Sequence, residues 1–242
     1  MINKENSNFI QKQESPEELM LHKIKQEFFH EIPEEYYELA KTATIPPNAP
    51  SYRWSTPYIF KDEELVKKLE TNNSQLIEKI EDEQLTEQGV FIKNKLNNET
   101  LIDLCCGEQK FISQMVKIFG VKKYIGVDID IVEKASTQDS FEKYIIKDDL
   151  LLFLAKIPDN YGSFFMAGAD DDSGQYYNID EDYGFLPSKY MDAVLKEIYR
   201  TTKKGSLFIG GCNNTISPPE EFGFKQIKFS GDNSHIGIYI KE

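Results

Sequence analysis

Two short apolar segments, each containing or ending in an acidic residue, constrain the fold of this chain more than any other feature. Residues 101–104 include Asp103 and run into a turn that contains Gly107, and residues 124–127 lead directly to Asp128. A segment with a helical pattern separates them. Strand, helix and strand in this order predict a β-α-β unit, which holds nucleoside-bearing cofactors at the carboxyl ends of its strands. Gly107 would let the backbone approach a ligand closely.

From residue 99 onward, predicted strands and helices alternate. We expect strands near residues 100–104, 123–128, 143–147, 163–167 and 206–210, and helices near residues 109–119, 131–135, 150–156 and 188–201. Two final strands, residues 224–230 and 236–241, flank a Gly-Asp-Asn sequence that is typical of a hairpin. The pattern predicts an α/β fold with a mostly parallel seven-stranded sheet, an antiparallel terminal hairpin and helices on both faces.

Residues 1–98 are predicted to form a helical extension that precedes the domain of residues 99–242. Ser15 and Glu18 form a capping box before a helix that should reach about residue 32, and a second short helix should follow. Residues 45–60 contain four prolines and Trp54, and they predict an extended connection. This connection could close over a bound ligand as a lid, or it could only anchor the extension. A further helix is expected over residues 74–96, interrupted near Gly89.

The charge balance restricts the classes of partner. With 28 Lys and Arg residues against 41 Asp and Glu residues, the net charge is −13, which argues against binding to duplex nucleic acid or to an anionic membrane surface. A cationic small molecule or a basic protein would fit better. The three cysteines have neither a disulfide pattern nor zinc-ligand spacing. Because no signal sequence or membrane-spanning segment is apparent, we expect a soluble, cytoplasmic protein.

Residues 99–242 resemble the class I S-adenosylmethionine-dependent methyltransferases. Residues 103–108 resemble the family's first motif, an acidic residue followed by a glycine-containing turn, and Asp128 matches the acid that ends its second strand. Residues 147–150 match the acidic turn after its third strand, and residues 203–206 resemble its Lys-Pro-Gly-Gly turn. The terminal hairpin matches the sixth and seventh strands. The resemblance implies a Rossmann-like fold, methyltransferase activity and S-adenosylmethionine as the cofactor.

The resemblance also assigns residues to the cofactor. In the family the acid at the position of Asp128 holds the ribose, and the turn after the first strand shapes the methionine side. The implied cofactor-binding set lies at or beside the strand ends: Asp103, Cys105, Gly107, Asp128, Ile129, Asp148, Asp149, Leu150 and Ala167. The first motif departs from the usual three glycines, because Cys105 and Gln109 stand at the first and third glycine positions. Gln109 would narrow the methionine side of the pocket.

Other interpretations remain open. A nicotinamide dinucleotide site needs a G-x-G-x-x-G turn for its pyrophosphate, whereas residues 105–110 contain one glycine and place Glu108 where the pyrophosphate would lie. A magnesium-dependent methyltransferase would need a metal ligand at the position of Gly168, so we predict no metal. The fold could also serve as a non-catalytic module that binds a protein partner, or it could methylate a basic protein side chain.

Methyl transfer is an in-line displacement at a sulfonium, and proximity and orientation can supply much of the catalysis. A general base is needed only if the acceptor must lose a proton. We therefore assign no catalytic residue, and retain Asp170, Tyr176 and His235 as candidates. The acidic loop that holds Asp170 could attract an amine, or it could be an ordinary solvated loop. The resulting hypothesis is a methyltransferase acting on a nitrogen or oxygen of a small molecule, which could be cationic.

Overall fold

A computed structural model describes residues 14–43, 59–62, 64–65, 80–107, 112–139, 141–166, 188–211, 218–229 and 236–242. Its centre is an eight-stranded sheet with the spatial order β3-β4-β2-β1-β5-β6-β8-β7. The strands are β1 (Thr100–Leu104), β2 (Lys123–Asp128), β3 (Lys134–Asp139), β4 (Phe141–Lys147), β5 (Ser163–Met166), β6 (Leu207–Gly211), β7 (Phe224–Ile227) and β8 (Ile236–Lys241).

The pairing directions confirm the predicted α/β class. The central strands β4, β2, β1, β5 and β6 are parallel, while β8 runs antiparallel to both of its neighbours, β6 and β7. The chain therefore returns from β7 to place its last strand between β6 and β7. This is the arrangement that the predicted antiparallel hairpin required, and each of the seven predicted strands is present.

The eighth strand, β3, corrects the prediction of a helix over residues 131–135. Residues Lys134–Asp139 instead pair antiparallel with β4, with Ala135 opposite Tyr144. Side-chain burial alternates here, since Lys134 is exposed and Ala135 is buried. This segment is too short for a stable isolated helix, and as a strand it satisfies the free backbone groups along the outer edge of β4.

Six α-helices are described: α1 (Pro16–Glu27), α2 (Glu34–Thr42), α3 (Glu87–Leu96), α4 (Ile112–Ile118), α5 (Leu150–Lys156) and α6 (Ser188–Thr201). The capping box is confirmed, because the Ser15 Oγ accepts from the Glu18 N–H at 3.1 Å and Glu18 accepts from the Ser15 N–H at 2.7 Å. α1 ends at Glu27, earlier than expected.

Thr86 caps α3, so the prediction of one helix over residues 74–96 is wrong for residues 80–86. Gly89 lies within α3 and does not interrupt it.

Two apolar layers cover the two faces of the sheet. Residues alternate along β1, so that Ile102 and Leu104 contact one layer and Leu101 contacts the other. The first layer includes residues of α1, α2, α5 and α6, and the second includes residues of α3 and α4. Helices on both faces are thus confirmed. The division of the chain at residue 98 stays a prediction, and residues 44–58, which hold most of the proposed lid, lie outside the described residues.

A buried polar network fixes α2 on the first face. The Tyr36 hydroxyl donates to Glu197 Oε1 on α6 at 2.9 Å, and Arg200 pairs with the same carboxylate at 2.6 Å. Arg200 also donates to the carbonyl oxygens of Leu154 and Ile157 at the end of α5, where a cation satisfies otherwise unpaired carbonyl groups. α2 is therefore bonded to α6, and α6 in turn is bonded to the end of α5.

Candidate functional site

The carboxyl ends of β1, β2, β4 and β5 meet at one edge of the sheet, because these four neighbouring strands are parallel. In open α/β sheets, ligands bind in the crevice outside this edge. The turns after β1, β2 and β4 contain most of the residues that the sequence singles out. The geometry of these three turns decides what the edge can bind.

The turn after β1 requires backbone conformations that most residues avoid. Cys105 has φ +62° and Gly107 has φ +48°, so both lie in the left-handed region. Glycine adopts this region freely, whereas it strains other residues. Cys105 occupies the first glycine position of the motif that the chain resembles, and its conformation explains why glycine is usual there. Cys105 thus keeps the left-handed backbone conformation that glycine usually provides at this position, and it adds a half-buried thiol at the edge of the sheet.

Asp128 joins all three turns. Its Oδ2 accepts from the backbone N–H of Gly107 at 3.0 Å, and its Oδ1 accepts from the backbone N–H of Asp130 at 3.0 Å. Its backbone carbonyl accepts from the N–H of Asp148 at 3.2 Å. A carboxylate can accept about four hydrogen bonds, so this partly exposed group retains capacity for a ligand that donates hydroxyl groups.

The two carboxylates that follow β4 both contact α5. Asp149 caps the helix, since its Oδ1 accepts from the Leu152 N–H at 3.0 Å. Asp148 Oδ2 pairs with Lys156 Nζ at 2.6 Å. Both carboxylates are partly exposed, whereas Leu150 is buried in the first apolar layer. The structure thus brings Asp148 and Asp149 to the edge beside Asp128 and turns Leu150 toward the core.

Tyr190, which the sequence analysis missed, supports this turn from α6. Its buried hydroxyl donates to Asp149 Oδ2 at 3.1 Å and accepts from the Leu151 N–H at 3.3 Å. Burial, and next the charge of Asp149, raises the pKa of Tyr190 well above its usual range. No local sequence signal could identify Tyr190, because its partners lie on other elements.

An exposed apolar surface follows Asp128 directly. Ile129 is 44% exposed and Val132 is 84% exposed. Ile129 thus presents an exposed apolar side chain directly after the partly exposed carboxylate of Asp128.

Asp103 lies beneath the turn, in the interior of the sheet. It is only 3% exposed and accepts a 2.6 Å hydrogen bond from the Tyr124 hydroxyl of β2. Burial raises the pKa of Asp103 to about 7; the bond from Tyr124 opposes this shift, and the charge of Asp128 adds to it. Asp103 supports the turn from below and does not line the open edge.

Cys106, in the turn after β1, is buried as well. Its backbone N–H donates to the Val127 carbonyl at 3.1 Å, which ties the turn to β2. Burial, and next the charge of Asp103, raises the pKa of its thiol far above the usual range. Cys106 therefore acts as a buried packing group.

Several candidates fall outside the described residues. Ala167, Asp170, Tyr176 and His235 are among them, as are Glu108 and Gln109, so their assignments stay predictions. Within the part of the chain that the structure describes, no cluster of three or more His, Cys, Asp or Glu side chains could hold a metal ion. In that same part, no helix is both long and apolar enough to cross a bilayer.

Comparison with known proteins finds similarity in solved structures alone. No family model and no curated protein matches the chain. A SAM-dependent methyltransferase from Archaeoglobus fulgidus is 16% identical, with a TM-score of 0.36, over 67% of this chain and 74% of that one. A TehB-like SAM-dependent methyltransferase from Corynebacterium glutamicum is 14% identical, with a TM-score of 0.39, over 60% and 82%.

A putative methyltransferase from Escherichia coli has a TM-score of 0.42 at 8% identity, over 63% of this chain and 81% of that one. Identities and TM-scores this low assign no activity to the present chain. Its function has to be inferred from the residues at the edge of its own sheet.

Proposed function

We propose that this protein binds S-adenosylmethionine and transfers its methyl group to a nitrogen or oxygen of a small molecule. The observation that carries the proposal is the hydrogen bond between the Gly107 N–H and Asp128 Oδ2. It holds an acidic side chain, with capacity for further hydrogen bonds, beside a turn whose backbone can approach a ligand closely.

The three turns fit the parts of this cofactor. Asp128 would accept hydrogen bonds from the ribose hydroxyl groups, and the exposed side chain of Ile129 would pack against the adenine ring. The turn of Asp148 and Asp149 would lie at the adenine amino group, while Cys105 and Gly107 would border the methionine side. When bound, the cofactor supplies an electrophilic methyl group on a sulfonium.

Sheet topology favours this cofactor over a nicotinamide dinucleotide. Dinucleotide-binding sheets typically have six parallel strands in the order 3-2-1-4-5-6, whereas here β8 lies antiparallel between β6 and β7. In the sequence, Glu108 also stands where the pyrophosphate would lie, and its carboxylate would repel that group. S-adenosylmethionine contains no phosphate, so it avoids this repulsion.

Catalysis would rest on placing the acceptor in line with the methyl–sulfur bond. The net charge of −13 favours an acceptor that carries a positive charge elsewhere in the molecule. Asp170, Tyr176 and His235 stay candidates for contacting the acceptor or for removing its proton.

Calorimetric titration of the full chain with S-adenosylhomocysteine, the demethylated product, tests the cofactor assignment. We expect saturable binding, and no binding of NAD⁺ in a parallel titration. A folded protein that takes up no S-adenosylhomocysteine would refute the proposal.

Labelled S-adenosylmethionine incubated with a cell extract then tests the acceptor. Label in small metabolites supports the proposal, and label in protein would support methylation of basic side chains instead. Tight binding with no transfer to either fraction would indicate a non-catalytic module.

A further inference from the structure

An ion pair connects helix α1 to the edge of the sheet. Lys25, in the last turn of α1, lies 2.6 Å from Oε1 and 2.8 Å from Oε2 of Glu133. Glu133 belongs to the connection between β2 and β3, and its Oε1 also accepts from the backbone N–H of Lys147 at 3.3 Å. One carboxylate therefore contacts the N-terminal region, the connection after β2 and the end of β4.

These contacts continue into the proposed cofactor site. Lys147 directly precedes Asp148, whose backbone N–H donates to the Asp128 carbonyl at 3.2 Å. Asp128 in turn accepts from the Gly107 N–H. An unbroken series of hydrogen bonds and adjacent residues thus runs from α1, through Glu133, to the turn after β1.

The unexpected strand makes this arrangement possible. Because residues Lys134–Asp139 form β3 instead of a helix, α1 packs against β3. A cation at the end of α1 is also favoured by the partial negative charge of the helix terminus. Lys25 therefore reaches the sheet from a segment that the sequence had assigned to a separate extension.

We propose that Lys25 is a positioning residue for the adenosine half of the cofactor, acting through Glu133 to hold the turn after β4 against Asp128. This inference rests on the proposed function. If the inference holds, α1 contributes to cofactor binding indirectly, through Glu133.

Four full-length variants test the inference: Lys25→Met, Lys25→Arg, Glu133→Gln and Glu133→Ala. Lys25→Met and Glu133→Gln remove the ion pair, and each should weaken S-adenosylhomocysteine binding about 2- to 5-fold, the range for a partly exposed pair. Glu133→Gln retains an oxygen for the Lys147 N–H. Glu133→Ala removes that acceptor too and should weaken binding about tenfold. Lys25→Arg should restore the affinity.

Lys41→Met is the matched control, because Lys41 pairs with Glu38 within α2 at 2.6 Å and both side chains are exposed. Lys41→Met should bind S-adenosylhomocysteine with the affinity of the unmodified protein. In Lys25→Met, the affinity for adenosine alone, measured by competition, should fall by the same factor as the affinity for S-adenosylhomocysteine. High salt should reduce the difference between Lys25→Met and the unmodified protein, since it screens exposed charges.

All titrations are made well below the melting temperature of each variant, so a change in stability alone leaves the affinities unchanged. If the unmodified protein binds S-adenosylhomocysteine and Lys25→Met binds it equally well, the positioning role is overturned and the proposed function stands. If the folded, unmodified protein does not bind it, the proposed function and this inference are both overturned.

Discussion

The backbone N–H of Gly107 donates to Oδ2 of Asp128 over 3.0 Å, which joins the turn after β1 to the end of β2. The acid at the end of β2 is thereby oriented by the neighbouring turn before any ligand arrives. Its other oxygen accepts from the Asp130 N–H. Preorganisation of this kind lowers the entropy that a binding site loses when a ligand is bound.

Replacement of Asp128 by alanine should weaken S-adenosylhomocysteine binding by about 1 to 3 kcal/mol, because the ribose loses its acceptor and two backbone N–H groups lose theirs. Asp128→Asn keeps one acceptor oxygen, so its affinity for S-adenosylhomocysteine should lie between those of the unmodified protein and Asp128→Ala. Calorimetry measures the affinities. Asp130→Ala is the control, since it retains the backbone N–H that Asp128 accepts from. Equal losses in Asp130→Ala and Asp128→Ala would contradict the assigned role.

Asp103 should make the free energy of unfolding fall as pH rises. Its pKa in the folded protein is about 7, against 3.8 for an unperturbed group, so the folded state binds the proton more tightly than the unfolded state. The contribution is complete below about pH 4 and is lost progressively up to about pH 7. If the full pKa shift of Asp103 contributes to stability, the free energy of unfolding falls by about 4 kcal/mol over this pH range.

Asp103→Asn should remove this pH dependence, because an amide oxygen can still accept from the Tyr124 hydroxyl and does not ionise in this range. Urea unfolding at a series of pH values gives the unfolding free energy of the unmodified protein and of Asp103→Asn as two curves against pH. The difference between them should change between about pH 4 and pH 7. Parallel curves over this interval would show that Asp103 titrates normally.

Gly126→Ala should destabilise the protein by about 1 to 3 kcal/mol through overpacking. A Cβ atom on Gly126 would lie 2.9 Å from Cys106 Sγ, 3.0 Å from Ile145 Cδ1 and 3.1 Å from the Tyr124 hydroxyl oxygen. The penalty should be smaller in a Cys106→Ala background, where the sulfur is absent. A double-mutant cycle of unfolding free energies measures this coupling. Strict additivity would mean that the sulfur does not limit the space.

Tyr36→Phe should cost about 1 to 3 kcal/mol of stability, because the buried Glu197 loses a hydrogen-bond donor. The adjacent Tyr37 is 45% exposed, so Tyr37→Phe should change stability by less than about 0.5 kcal/mol. Thermal or chemical unfolding of the two variants provides the comparison. Similar values would show that the bond between α2 and α6 adds nothing measurable to stability.

The strands of the sheet were predictable because they are short apolar segments between clear turn signals, and α6 was predicted over its full observed range. The residues of the candidate site could be selected from the sequence where they lie at strand ends, as for Gly107, Asp128 and Asp148, and their roles stay predictions. β3 was missed because residues 131–135 contain apolar side chains at a spacing compatible with a helix, and only the free edge of β4 selects a strand. Asp103 belongs to the predicted cofactor-binding set, and that assignment stays a prediction; its burial was not apparent from local sequence, because residues of neighbouring strands surround it.

The sequence by itself determined the α/β class, the strand ends that carry the acidic residues, and the turn through Gly107. These features depend on local patterns of apolar residues, acids and glycine. Tertiary structure alone decided that Lys25 reaches Glu133, that Tyr190 holds Asp149, and that Tyr124 meets Asp103 in the core. The partners in these pairs are distant in sequence or lie on different elements. Their contacts depend on how the helices and strands pack, which no local pattern specifies.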